Sequence, residues 1–202
     1  MRLDWSGCEG YRDLGGTHTT DGLTIRDDAL ARSGSQHGLS AATTEAIRAG
    51  EAARIVDLRW AWECEQAPSP FLGHEVYQHV QMLDDVLGYE PPPDTYAPML
   101  DHNRARIAQA FRAVADAPPG LVVVHCTAGR DRTGVLIALL LQVAGVGAEA
   151  IAADYAVSGG SPTPMINTLN HLHDRYGGAS LYLLTCGVEQ HRLTAVRNRL
   201  LG

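Results

Sequence analysis

The sequence predicts an α/β sandwich, a central and mostly parallel sheet flanked by helices. Residues 121–124, Leu-Val-Val-Val, are continuously apolar, as a strand buried on both faces of a parallel sheet requires. A second apolar run with β-branched residues lies at 54–58. Helical spacing separates and follows these runs, and strands alternating with helices place a parallel sheet between helical layers.

Taken in order, Gly15-Gly16 and Asp21-Gly22 punctuate the first thirty residues and predict short strands at 23–25 and 29–32. Ser40 is placed to cap a short helix running to Arg48, with Gly50 as its stop. Residues 54–58 and 75–80 are expected strands. From 82 to 98 the chain is polar and holds Pro91, Pro92, Pro93 and Pro98. It predicts a long surface loop of the kind that serves as a lid in compact domains. Met99, Ile107, Phe111 and Val114 then keep helical spacing up to Pro118-Pro119-Gly120. The strand 121–125 runs into a buried helix over 132–144, and helices are expected over 147–157, 162–176 and 188–201.

The chain has 202 residues, enough for one well-packed core, so a single domain over 1–202 is expected. With 23 acidic and 16 basic residues, it has no basic excess to neutralise a nucleic-acid backbone. The four cysteines, Cys8, Cys64, Cys126 and Cys186, are far apart and show no paired spacing for zinc or a disulfide framework. The N-terminus has no apolar signal region. The longest apolar stretch, 135–144, is about half the length a membrane crossing needs. The expectation is a soluble protein without integral membrane association, cytoplasmic or exported without a conventional signal peptide.

The chemistry concentrates in His125-Cys126-Thr127-Ala128-Gly129-Arg130-Asp131-Arg132-Thr133-Gly134, between the strongest strand and a helix. A five-residue loop whose amide N–H groups point inward makes an anion site, and the helix dipole reinforces it. Arg132 at its end supplies a planar fork that matches two phosphate oxygens. Cys126 at its start sits beneath those donors, which favour its thiolate form. Gly129 permits close backbone approach to a ligand, Gly134 permits close packing of the helix, and the Thr133 hydroxyl can donate to the thiolate.

This string resembles the loop of cysteine-dependent protein tyrosine phosphatases. More narrowly, it is similar to the HCxxGKDRTG loop of bacterial tyrosine phosphatases of dual or triple specificity, some of them active on phosphoinositides. The segment 10–16 is similar to the family's N-x-R-D-L-G-G, Arg32-Ser33-Gly34 to its R-S-G, and 55–59 to its V-x-D-L-R, continued by Glu63 and Pro68. Asp154, Tyr155 and Ser158 resemble its Y-x-x-S block. The resemblance implies a tyrosine-phosphatase-like sandwich and hydrolysis of phosphomonoesters through a cysteinyl-phosphate intermediate. It implies no cofactor and no metal. It departs at Arg130, where the family usually has lysine; a guanidinium is not a point-charge ammonium, so a preference for extra phosphates does not carry over with the resemblance.

The resemblance implies catalytic roles for Cys126 as nucleophile, Arg132 as phosphate fork and Asp131 as general acid, against the plainer reading of Asp131 as a salt-bridge partner of Arg130 or Arg132. Thr127, Ala128, Gly129, Arg130 and Thr133 would bind substrate. His125 would hydrogen-bond the loop backbone and support the thiolate. Asp57 and Arg59 end a strand on the edge where α/β sites gather; they would orient Arg132, line the pocket, or simply pair. Asp84 or Asp85 in the long loop is the alternative acid. Arg12 and Asp13 read as a buried pair tying down the N-terminal turn, Trp60 and Trp62 as packing groups, and His171, His173 and Asp174 as solvent-exposed rather than metal-binding.

The substrate would be a phosphorylated protein or a phosphoinositide, with inorganic phosphate as product and inhibitor. Two rivals come from other classes: a sulfurtransferase of rhodanese type, which the Arg132-Thr133-Gly134 ending disfavours, and a phosphate-binding module without turnover.

Overall fold

The computed structural model describes Trp5, residues 7–84 and residues 92–202. Its sheet has five strands: β1 (Arg12–Asp13), β2 (Leu30–Ser33), β3 (Arg54–Asp57), β4 (Tyr77–His79) and β5 (Val122–His125). Their order is β1-β2-β5-β3-β4. Only β1, paired with β2, is antiparallel. β5 is central, and its alternate side chains feed two cores, because successive residues of a strand point to opposite faces. Val122 and Val124 join the larger cluster, and Val123 joins Ala31, Ile55, Ile47 and Phe71 on the other face. The register sets Ser33 and Asp57 on either side of His125. The carboxyl ends of three parallel strands therefore meet where the 125–134 string begins.

The helix leaving that string is α5 (Asp131–Ala144). It is apolar on nearly every face because the sheet covers one side and other helices the rest. Those are α4 (Arg104–Ala115), α6 (Ala148–Val157), α8 (Ala179–Thr185) and α9 (Gln190–Leu201). Three shorter or outer helices complete the order: α1 (Ala41–Ala46), α2 (Ala61–Gln66) and α3 (Ala97–His102), with α7 (Thr163–Tyr176) packed on α6 and α8. Ser40 caps α1 as expected, accepting from the Thr43 N–H at 3.1 Å, and the turn Ile47–Glu51 ends through Gly50.

Several expectations are corrected. Residues 23–25 form no strand, only an isolated bridge between Thr24 and His18. The helix expected over 99–114 breaks at Asn103, whose side chain donates to the Met99 carbonyl and accepts the Asp84 N–H at 2.8 Å, so it serves both elements instead of continuing one. α8 was not foreseen. Met82 and Leu83, placed by sequence in a surface loop, are buried in the larger core, and Ala97 and Pro98 open α3. Residues 85–91 of the expected lid lie outside the described residues.

Candidate active site

The loop 125–131 crosses from the end of β5 to the start of α5. Cys126, at its base, is 3% exposed. Gly129 turns with φ 67°, and a Cβ there would lie 2.5 Å from the backbone of Ser33 and Gly34, so the turn needs glycine. Gly134 fits against the Tyr155 ring, where a Cβ would come within 2.9 Å; its small size serves packing of α5 on α6 more than on the sheet.

The loop is braced from behind by Arg32, 1% exposed at the end of β2. Its Nη2 donates to the Gly129 carbonyl at 2.8 Å and its Nη1 to Asp154 at 2.6 Å. Asp154 also accepts from Arg12 Nε at 2.8 Å. Arg12 and Asp13 are thus not a pair: Asp13 instead accepts the N–H groups of Gly15 and Asp28.

Arg132 is oriented by Glu63, not by Asp57. Its Nη1 donates to Glu63 Oε2 at 2.5 Å and its Nη2 to Oε1 at 3.0 Å. Thr127 donates its hydroxyl to the same carboxylate, and the Trp60 N–H holds it at 2.8 Å. Burial tends to raise the Glu63 carboxyl, but these donors outweigh it and hold the group below its ordinary range. The guanidinium lies over the Trp60 ring, Cζ 4.4 Å from its centre. Trp60 in turn stacks on the half-exposed Trp62 at 5.9 Å. Of the five donors of Arg132, Glu63 occupies the end-on pair. Among the described residues none accepts from its Nε–H.

Asp57 and Arg59 pair with one another. Asp57, fully buried, accepts four hydrogen bonds from Arg59 at 2.7 to 3.1 Å, from its backbone N–H, from Nε on both oxygens and from Nη2, and the Tyr77 hydroxyl at 2.8 Å. Burial would raise its carboxyl, but His125 and Arg59 hold it well below the carboxylate range. Arg59 extends to the Ala67 carbonyl and, with Cys126, Gln36 and His37, lines a cavity of about 90 Å³ on one flank of the loop. His125 lies with Nδ1 3.2 Å from the Cys126 carbonyl and Nε2 3.6 Å from Asp57. Burial pulls its imidazole below the ordinary range despite Asp57.

Asp131, first residue of α5, accepts the Tyr96 hydroxyl on Oδ1, with Arg130 Nε 3.8 Å from the same oxygen. Among the described residues it makes no bond with Arg132, which faces Glu63. Arg130 Nε donates to the Tyr155 hydroxyl at 3.2 Å. Thr133 is fully buried, and its hydroxyl has no partner among the described residues. Thr127 and Ala128 stand exposed at the rim. Asp84 is engaged elsewhere, its carboxylate with Arg106 of α4, while Asp85 lies outside the described residues. His171 is not free in solvent: it is half-buried and bonds Asp101 at 3.0 Å. His173 and Asp174 are exposed as expected.

Four residues of this arrangement carry no role in the sequence reading: Glu63, Arg32, Asp154 and Tyr96. The first three lie in the blocks of similarity, which mark them without saying what they touch. Tyr96 carries no signal at all.

The tyrosine phosphatase family profile matches residues 3–161. The chain belongs to that family and is a phosphatase. A tyrosine-protein phosphatase of Nostoc commune is 27% identical over 226 aligned positions, covering 87% of this chain and 75% of the relative. A Cupriavidus necator protein provisionally named as a tyrosine-protein phosphatase is 30% identical across 73% of this chain, which spans 59% of that relative. Among solved structures, P. aeruginosa TpbA is 18% identical, with 87% of this chain and 88% of that chain covered and a TM-score of 0.38. Among the described residues no helix is long and apolar enough to cross a membrane.

Proposed function

We propose that this chain hydrolyses phosphotyrosine in proteins through a cysteinyl-phosphate intermediate on Cys126. The observation that carries the reading is the division of labour at Arg132. Glu63 takes its end-on donors, Nη2 also reaches the Thr127 hydroxyl oxygen at 3.4 Å, and the Nε–H is left for an oxygen of a phosphate held over Cys126. Membership of the tyrosine phosphatase family supports the substrate class.

In the first step Cys126 Sγ attacks phosphorus, an S–P bond forms, and the P–O bond to the phenol breaks in line. The loop amides and Arg132 hold the equatorial oxygens, where charge accumulates, and Asp131 gives its proton to the leaving oxygen. In the second step water attacks phosphorus. Its proton passes to the Asp131 carboxylate, the S–P bond breaks, and phosphate and thiolate are released. Thr133, buried beside the loop with its hydroxyl unspent, donates to the departing sulfur.

The test is hydrolysis of a phosphotyrosine peptide, a phosphoserine peptide and a phosphoinositide side by side, by wild type and by Cys126→Ser. Turnover of the phosphotyrosine peptide that disappears in the variant supports the reading. A strong preference for either other substrate overturns its substrate class, and turnover retained by Cys126→Ser overturns its mechanism.

A further inference from the structure

Asp131 stands at the open end of a helix with its side chain about half exposed, at 47%. A carboxylate so placed has little packing to fix its rotamer, yet proton transfer needs it within hydrogen-bond reach of the leaving oxygen. Two tyrosines meet it from the core. Tyr96 donates its hydroxyl to Asp131 Oδ1, and the Tyr96 and Tyr155 hydroxyl oxygens are 2.7 Å apart. Neither ring is free to move. Both are buried, they pack edge to face at 6.0 Å, and the Tyr96 N–H is tied to Thr168 of α7 at 2.7 Å.

The donors fall into one direction. Arg130 Nε can only donate, and it donates to the Tyr155 oxygen. Tyr96 donates to Asp131, so its oxygen is the acceptor for the Tyr155 proton. The row therefore runs Arg130, Tyr155, Tyr96, Asp131, each hydroxyl accepting once and donating once, with a cation at one end and a carboxylate at the other. Burial, then the neighbouring carboxylate, push the Tyr96 phenol far above its ordinary range, so it stays a protonated donor.

We propose that Tyr96, backed by Tyr155, is a positioning residue for the general acid, reserving Asp131 Oδ1 as an acceptor so that Oδ2 carries the proton to the leaving oxygen. The inference rests on the reading of Asp131 as that acid. When the P–O bond breaks, the leaving oxygen takes the Oδ2 proton and Asp131 becomes a carboxylate. A hydrogen bond to a carboxylate is stronger than one to the neutral acid. The contribution of Tyr96 thus grows as the proton leaves, which is the condition for raising kcat rather than merely tightening binding.

The experiment compares an alkyl phosphate with p-nitrophenyl phosphate, whose leaving group needs little protonation, in Tyr96→Phe, Tyr155→Phe, Asp131→Asn and the double variant Asp131→Asn/Tyr96→Phe. Expected for Tyr96→Phe is a fall in kcat of about tenfold or more on the alkyl phosphate, about threefold or less on p-nitrophenyl phosphate, and an unchanged KM for both. In the Asp131→Asn background, Tyr96→Phe should add no further loss, as for two residues acting as one unit. Tyr155→Phe keeps the Tyr96 phenol and should show the same pattern at smaller size, which also covers a misfolded Tyr96→Phe. Equal losses on the two substrates, or losses that add in the double variant, overturn the positioning role while leaving Asp131 as the acid. An Asp131→Asn variant without leaving-group dependence overturns the acid assignment and the inference together.

Discussion

Glu63 grips Arg132 by both terminal nitrogens, at 2.5 and 3.0 Å, from a helix that the sequence places almost seventy residues away. The pair converts a flexible side chain into a fixed fork, and it does so at the edge of the loop where a phosphate's charge would lie. The loop's own hydroxyl, Thr127, is drawn onto the same carboxylate.

Glu63→Gln should therefore lower kcat/KM by about tenfold to a hundredfold, through a misplaced fork rather than a lost contact to substrate. Steady-state kinetics with p-nitrophenyl phosphate, together with vanadate inhibition, measure it. Unchanged values for both would show that Arg132 needs no partner to find its place.

Asp57 and Arg59 form a buried pair whose value lies in stability. Asp57→Asn leaves Arg59, 6% exposed in its side chain, without its counter-charge. The expected cost is about 3–5 kcal/mol in urea unfolding at neutral pH. The sign of the pH dependence follows from the lowered carboxyl of Asp57. A carboxyl depressed by folding stabilises above its unfolded value of about 4, and the contribution is lost as pH falls below that toward the folded value. Wild type should thus lose stability below about pH 4 more steeply than Asp57→Asn. Parallel curves for the two proteins would refute the assignment.

Gly129→Ala should disable the loop. Its φ of 67° and the backbone atoms 2.5 Å from any Cβ leave no room to adapt without moving Ser33 and Gly34. The strain alone is worth about 1–3 kcal/mol. Phosphate protection against thermal unfolding should be lost in the variant, and protection equal to wild type would mean the loop tolerates a different path.

How much of this was legible beforehand depends on the range of the contacts involved. The run 121–124 and the helix after it are local signals, and the loop between them states its chemistry in adjacent residues, so Cys126, Arg132 and Asp131 could be singled out without a structure. The break at Asn103 could not, because it depends on a bond to the Asp84 backbone. The choice among the three roles open to Asp57 and Arg59 (orienting Arg132, lining the pocket, or pairing) was closed to the sequence for the same reason. The spacing of two residues on a strand end cannot say whether they face a third side chain or each other, and here they bond each other. Arg12 was expected to meet its neighbour Asp13, but adjacent residues of a strand point to opposite faces, and its partner is Asp154, over a hundred positions away. Tyr96 belongs to a segment that reads as loop, and its hydroxyl meets Asp131 only because the start of α3 folds back onto α7.

The central claim is that the phosphoryl group passes through Cys126. Rapid acid quench during turnover of p-nitrophenyl phosphate, followed by peptide mapping by mass spectrometry, tests it directly. The use of Asp131→Asn, in which hydrolysis of the intermediate loses its base, lets the adduct accumulate. The account predicts a phosphoryl group on the peptide containing Cys126, and none when Cys126→Ser is added to the same background. A phosphoryl group on any other residue, or an adduct that persists after Cys126→Ser, would contradict it.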